Sequence, residues 1–274
     1  MKSTDYQPVV IPRSYRRIMT YQERDYHIFV SIPADPPPES GFPVIYLLDG
    51  NSVFATVTEA IRIQSRGPER TGVYPAIVVG IGYPTDDPYH PARFYDYTYE
   101  VPAAELPGSL KGAEWPQMGG AEQFLTFLEE ELKPSIENDF PIDRTQQAIL
   151  GHSLGGLFVL HVLLSRPNAF QRYIAGSPSI HWNESVLLAK ESQLPSLLTD
   201  DLDVHALLTI GELENDGRFL VKEKSLAMIE RLSSMGKGQI KASFKEFANE
   251  NHSSVLPVFI SQGLRFATKK TARY

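Results

Sequence analysis

Gly151-His152-Ser153-Leu154-Gly155 is a segment whose residue types and order suggest covalent chemistry. The pattern G-x-S-x-G sets a serine on a tight strand-to-helix turn, with its hydroxyl projecting into a cleft. Side chains at Gly151 and Gly155 are expected to collide with neighbouring backbone, so both positions must be small. The pentapeptide alone is weak evidence, and its context makes it specific. It follows the apolar run Gln147-Ala-Ile-Leu150 and precedes the apolar segment from Leu154 to Leu164, a strand and a helix in the required order.

A serine hydroxyl is a poor nucleophile at neutral pH and needs an adjacent base, for which histidine is suited. The chain has seven histidines. With this turn the triad runs Ser, then acid, then His along the chain. His27, His90 and His152 therefore come too early. His161 falls on the helix just after the turn, His181 leaves no room for an acid-bearing strand, and His205 is inside a strand. His252 remains, in the polar loop Ala248-Asn-Glu-Asn-His-Ser-Ser254 between the last strand and the last helix. The acid should follow the penultimate strand, which runs into Gly211-Glu-Leu-Glu-Asn-Asp216. Glu214 is preferred there, ahead of Asp216 and Glu212. Its task is to hold the imidazole tautomer and stabilise the imidazolium.

A developing oxyanion needs two N–H donors. One is expected from Leu154, the residue after the nucleophile. The other is expected from Asn51, in the loop Leu48-Asp-Gly-Asn51 after an earlier strand. Because the backbone donates, replacing the Asn51 side chain is expected to matter little.

The elements that must position these residues can be read from periodicity. Ser14 to Tyr21 and Asp25 to Ile32 form an N-terminal hairpin, and Pro36, Pro37 and Pro38 break the chain after it. Pro43 to Leu48 and Ala76 to Ile81 are apolar throughout, as strands buried on both faces are. Helices are expected from Ser52 to Gln64, Ala121 to Glu137, Leu154 to Leu164, Arg218 to Met235 and Ser254 to Phe266. Further strands are expected at Tyr173 to Ala175, Val204 to Ile210 and Ile240 to Phe247. From about residue 43 onward strands and helices alternate. That order predicts a mostly parallel central sheet with an antiparallel N-terminal hairpin and helices on both faces; with the nucleophile turn at Ser153, an α/β-hydrolase fold is the expectation. Ligands in such sheets sit at the carboxyl ends of the strands. A single domain over residues 1–274 is expected, with a long loop insertion at about 83–118.

Composition narrows the function classes. The net charge is −7, unlike the basic footprint of a nucleic-acid binder. There are no cysteines, which removes disulfides, a thiolate nucleophile and Cys-ligated metal. No metal-ligand spacing and no cofactor motif is present. No apolar run is long enough for a membrane span, and no leader is recognised at the N-terminus. A cytoplasmic enzyme acting on a small-molecule ester is the expectation.

Several of these segments resemble the esterase family that includes esterase D, the mycolyltransferases, feruloyl esterases and enterochelin esterases. They are Tyr46-Leu-Leu-Asp-Gly50, Gly151-His-Ser-Leu-Gly-Gly156, Ser177-Pro-Ser179 with Trp182, Gly211-Glu-Leu-Glu214 and His252. Together with Arg93-Phe-Tyr-Asp-Tyr-Thr98 they look most like the siderophore trilactone esterases. The resemblance implies Glu214 as the acid, Asn51 and Leu154 as oxyanion donors, and Arg93 and Trp182 as substrate contacts. It implies hydrolysis of a ferric catecholate trilactone, with a bacillibactin-type cytoplasmic enzyme as the nearer pattern. A general ester hydrolase of the feruloyl or S-formylglutathione type is the alternative. A ferric tris-catecholate is a flat-ringed trianion and should want cationic and aromatic contacts. Tyr89, Phe94, Tyr95, Tyr97, Tyr99, Trp115, Lys111, Arg62, Arg66 and Arg70 are further candidates for that role.

Overall fold

The computed structural model describes residues 7–100, 116–182, 184–214, 220–235 and 238–269. The eight strands are β1 (Ser14–Tyr21), β2 (Arg24–Ser31), β3 (Phe42–Leu47), β4 (Ile77–Gly82), β5 (Ile142–His152), β6 (Arg172–Gly176), β7 (Val204–Gly211) and β8 (Ile240–Phe247). They lie in one sheet in the order β1-β2-β4-β3-β5-β6-β7-β8. The hairpin pairs antiparallel, and β2 joins β4 antiparallel. From β4 to β8 every neighbouring pair is parallel. This is the expected mixed sheet.

Alternate strand residues serve two cores, because side chains of a strand point to opposite faces. Val44 and Tyr46 of β3 join Ile149 of β5 and Leu208 of β7 on one face. Ile45 and Leu47 join Leu150 and Leu207 on the other. The first face is covered by α4 (Ala121–Phe127), α6 (Leu154–Ser165), α7 (Glu184–Gln193) and α8 (Val221–Ser234). The second is covered by α1 (Gly50–Gln64) and α9 (Leu256–Thr268). Fully burying a Leu or Phe side chain in such a core is worth roughly 1.5–3 kcal/mol.

α6 is the most enclosed helix. Every residue from Leu154 to Leu164 is buried, as expected for a helix apolar on all sides. It therefore fixes the turn at its amino end from which Ser153 projects.

Several elements differ from the sequence reading, the unexpected α7 among them. β5 starts at Ile142 rather than Gln147, because its first half carries polar residues such as Asp143, Thr145 and Gln146. The helix from Ala121 is interrupted by a π-helical turn, Leu128–Leu132, before α5 (Lys133–Asp139) completes it. Residues 83–118 are not all loop: α3 (Ala92–Tyr97) lies within them. Residues 101–115, which include Lys111 and Trp115, lie outside the described residues.

Candidate active site

The carboxyl ends of five parallel strands deliver the site. β3 leads to Asp49, β5 to Ser153, β6 to Ser177, β7 to Glu214 and β8 to the loop of His252. Ser153, Leu154, Glu214 and His252 line one pocket of about 580 Å³, together with Arg93, Trp182, Ser177 and Ser179.

Ser153 has φ 60 and ψ −119, a conformation non-glycine residues avoid. Such strain costs of order 1–3 kcal/mol and persists only where surroundings enforce it. Here the Ser153 N–H donates to Gly176 O at 2.9 Å, and its carbonyl accepts from the N–H groups of Leu157 and Ser179 at 2.9 and 3.1 Å. A Cβ on Gly151 would come within 2.4 Å of the Gly155 carbonyl carbon, so the first glycine is a backbone requirement as expected. The second collision falls elsewhere. A Cβ on Gly155 would meet Asp49 Oδ2 and the Leu48 side chain at 3.3 Å, whereas one on Gly156 would meet Gly176 O at 2.8 Å. Gly156 is thus pressed on backbone, and Gly155 on side chains.

Glu214 and His252 meet. His252 Nδ1 lies 2.6 Å from Glu214 Oε2. Glu214 Oε1 accepts the Ser177 hydroxyl at 2.6 Å and the Gly211 N–H at 2.7 Å. The Glu214 side chain is 6% exposed and that of His252 50%. Burial pushes the Glu214 carboxyl up, but the bonds from His252, Ser177 and Gly211 outweigh it and hold it below the usual carboxylate value. It is a committed acceptor that fixes the ring and leaves Nε2 available. Glu212 instead accepts the Asn249 N–H at 2.8 Å. Asp216 lies outside the described residues.

Against the ring of His252 lies that of His152, with centroids 4.7 Å apart. Burial, and next the charge His252 can carry, push His152 down to about 3. It stays neutral and forms an uncharged wall. The Ser153 hydroxyl has Ser179 Oγ at 3.3 Å as its neighbour.

Leu154 is the first residue of α6, so its N–H has no intrahelical partner and carries the positive end of the helix dipole. Asn51 stands in the first turn of α1, where the same holds, but it is not among the residues lining the pocket. The Asn51 side chain is not idle. Its Nδ2 donates to Tyr83 O and Thr85 O at 3.0 and 2.8 Å, and its Oδ1 accepts the Tyr83 N–H at 2.7 Å. The expectation that replacing it matters little is corrected by these three bonds.

Arg93 and Trp182 both reach the pocket, and the Trp182 ring packs on Phe94 at 5.6 Å. Arg93 is not a spare cation, however. Its Nε and Nη2 donate to Asp49 Oδ1 and Oδ2 at 2.8 and 2.7 Å, with both side chains buried. Arg62 pairs with Glu59 on the surface of α1 rather than joining the site. Asp49, Ser177 and Ser179 were not singled out by chemistry, although each follows a strand end, where ligands of such sheets are met.

A larger cavity of about 990 Å³ opens at the opposite, amino ends of the strands, lined by Phe42, Thr145, Arg172, Asp203 and His205 among others. It contains none of the candidate catalytic residues. No helix among the described residues is long and apolar enough to cross a membrane.

A family model described as Putative esterase matches residues 20–265. The chain is 52% identical over 260 residues to the ferri-bacillibactin esterase BesA of Bacillus subtilis, covering 94% of this chain and 90% of that one. It is 33% identical over 253 residues to the siderophore enterobactin esterase of Emericella nidulans, covering 83% and 82%. Among solved structures, the BES protein of Bacillus cereus superposes with a TM-score of 0.89 at 42% identity, over 97% of this chain and 99% of the other.

Proposed function

This chain belongs to the esterase family and is a carboxylic-ester hydrolase; from that premise we propose that it opens the trilactone ring of a ferric catecholate siderophore, using Ser153, His252 and Glu214. The observation that carries the catalytic part is the 2.6 Å bond between His252 Nδ1 and Glu214 Oε2 on the wall that also presents Ser153. The substrate rests on likeness to the esterases of ferri-bacillibactin and enterobactin. A cytoplasmic location belongs to the same proposal.

The mechanism follows from the donors and acceptors. The Ser153 hydroxyl turns from Ser179 to His252 and gives Nε2 its proton as Oγ attacks an ester carbonyl carbon. Glu214 accepts from Nδ1 and offsets the charge of the imidazolium. The tetrahedral oxyanion is met by the N–H groups of Leu154 and Asn51. The C–O bond to the leaving alkoxide breaks, and that alkoxide takes the proton from His252. Water then attacks the acyl-enzyme with His252 as base, releasing a carboxylic acid and restoring the Ser153 hydroxyl. Each round adds one water and cuts one ester. Trp182 and Phe94 offer aromatic faces suited to a catechol ring. Iron is cargo of the substrate.

The test is to incubate the protein with ferric bacillibactin and ferric enterobactin and follow products by mass spectrometry against Ser153→Ala. Stepwise addition of water by the wild type and none by the variant is the expected result. Intact trilactone beside cleavage of a simple aryl acetate would move the substrate to the general ester hydrolase class.

A further inference from the structure

Arg93 brings its charge to the pocket, yet both of its bonded nitrogens are occupied by Asp49. The side chains are 10% and 6% exposed, and the geometry is bidentate. Burial works against the guanidinium charge, and the Asp49 carboxylate overrides it and holds the proton more firmly.

Asp49 occupies a structural crossroads. It is the residue before α1, with φ 53 and ψ 46, a left-handed conformation unfavourable for a residue with a side chain. Its backbone leads through Gly50 directly to Asn51. Its carboxylate abuts the first turn of α6, since a Cβ on Gly155 would lie 3.3 Å from Oδ2. One residue therefore adjoins both segments expected to supply the oxyanion donors, the start of α1 and the first turn of α6.

α3 grips that residue at two points. Arg93 and Tyr97 are four apart and so share a face of the helix. Arg93 holds the carboxylate, and Tyr97 Oη accepts the Asp49 N–H at 3.0 Å. Tyr97 is 1% exposed, so it has no access to a ligand. The neighbouring residue on α3, Asp96, accepts the Tyr83 hydroxyl at Oδ2 at 2.9 Å. The Tyr26 hydroxyl donates to Asp96 Oδ1 at 3.3 Å. The chain of bonds thus runs from the sheet hairpin through α3 to Asp49.

We propose that the buried Asp49–Arg93 pair, with Tyr97 on the Asp49 amide, sets the Asn51 N–H opposite the Leu154 N–H, making Arg93 and Tyr97 positioning residues rather than contacts for substrate charge. This rests on the reading of Asn51 and Leu154 as oxyanion donors. A fixed donor is effective because no reorganisation is needed as charge develops. A displacement of about 1 Å costs about 100-fold in rate. The left-handed Asp49 would relax if the grip were released, and the donor would move with it.

The experiment measures kcat and KM of Arg93→Met, the double variant Asp49→Asn/Arg93→Met and Tyr97→Phe, on 4-nitrophenyl acetate and on ferric enterobactin, with melting temperatures. 4-Nitrophenyl acetate carries no catecholate charge. The expected result is a fall in kcat of about 10- to 100-fold on both esters for the two Arg93 variants, with KM within about threefold. The double variant should regain melting temperature, because no buried charge is left unpaired, while its kcat stays low. Tyr97→Phe loses a single oxygen and should lower kcat on both esters by about 3- to 10-fold.

Three results would overturn the proposal. One is a double variant whose kcat recovers together with its melting temperature. Another is a defect confined to KM for the ferric substrate, with 4-nitrophenyl acetate turned over normally. The third is a Tyr97→Phe enzyme with wild-type kcat on both esters. A wild type that cleaves 4-nitrophenyl acetate through Ser153 but leaves both ferric bacillibactin and ferric enterobactin intact would refute the substrate reading alone, and the comparison on the small ester would still decide this one.

Discussion

The two ends of the parallel sheet carry cavities of unequal size, about 990 Å³ at the amino ends and about 580 Å³ at the carboxyl ends. The smaller one holds the candidate catalytic residues. At the carboxyl ends Asp49, Ser153 and Ser177 all have positive φ, and none is glycine. Ser177 donates to Glu214, which meets His252, Ser153 lines the same pocket, and Asp49 holds Arg93 at its wall. The larger cavity has Gly41 as its left-handed lining residue, a conformation glycine adopts readily. Two of its charges are tied into scaffold contacts: Arg172 donates to Lys269 O at 2.7 Å, and Asp203 accepts from Lys241 at 2.8 Å. Volume measures where loops fail to fill space, whereas enforced strain with convergent polar groups marks where the fold spends stability on a task.

Ser153→Ala should break the contrast most severely, lowering kcat by about 10⁴-fold or more in a steady-state assay while the protein stays folded. Next is Glu214→Gln, which keeps the shape but loses the acceptor that fixes the His252 tautomer; a loss of about 10²- to 10⁴-fold is expected. An unaltered rate in that variant would return the acid role to Asp216. Gly156→Ala forces a methyl within 2.8 Å of Gly176 O, and thermal unfolding should report about 1–3 kcal/mol of destabilisation.

The acid limb is smaller and has a definite sign. Glu214 is held below the usual carboxyl value of 4.5, since the bonds from His252, Ser177 and Gly211 override burial. A lowered folded value gives stability that is full above 4.5 and is lost as pH falls through the folded value. Between about pH 5 and about pH 3 the wild type should therefore lose more melting temperature than Glu214→Gln. The least effect is expected at the other end of the sheet. Asp201→Lys reverses a charge on the wall of the larger cavity, and kcat/KM on the ester should stay within about twofold. A large loss there would erase the distinction between the two ends.

Much of the site was legible because its logic is local and ordered. Ser153 announces itself between an apolar strand and an apolar helix, and chain order leaves His252 as its candidate base. Glu214 is legible as a carboxylate after the penultimate strand, though the sequence alone left Glu212 and Asp216 as rivals. What was hidden depends on pairing across the chain. Arg93 and Asp49 lie 44 residues apart, and nothing in either neighbourhood says that one cancels the other. α7 was not expected, because its apolar face is slight and Leu187 is its main anchor in the core. The start of β5 was missed for the opposite reason: polar side chains at Asp143, Thr145 and Gln146 mask a strand whose alternation only becomes apolar after Gln147.

The most direct measurement is to treat the protein with a fluorophosphonate probe and map the adduct by peptide mass spectrometry. The account predicts a single phosphonylated residue, Ser153, and loss of ester hydrolysis in proportion to labelling. An adduct on a serine of the amino-end cavity such as Ser40, or full labelling of Ser153 with hydrolysis intact, would contradict it.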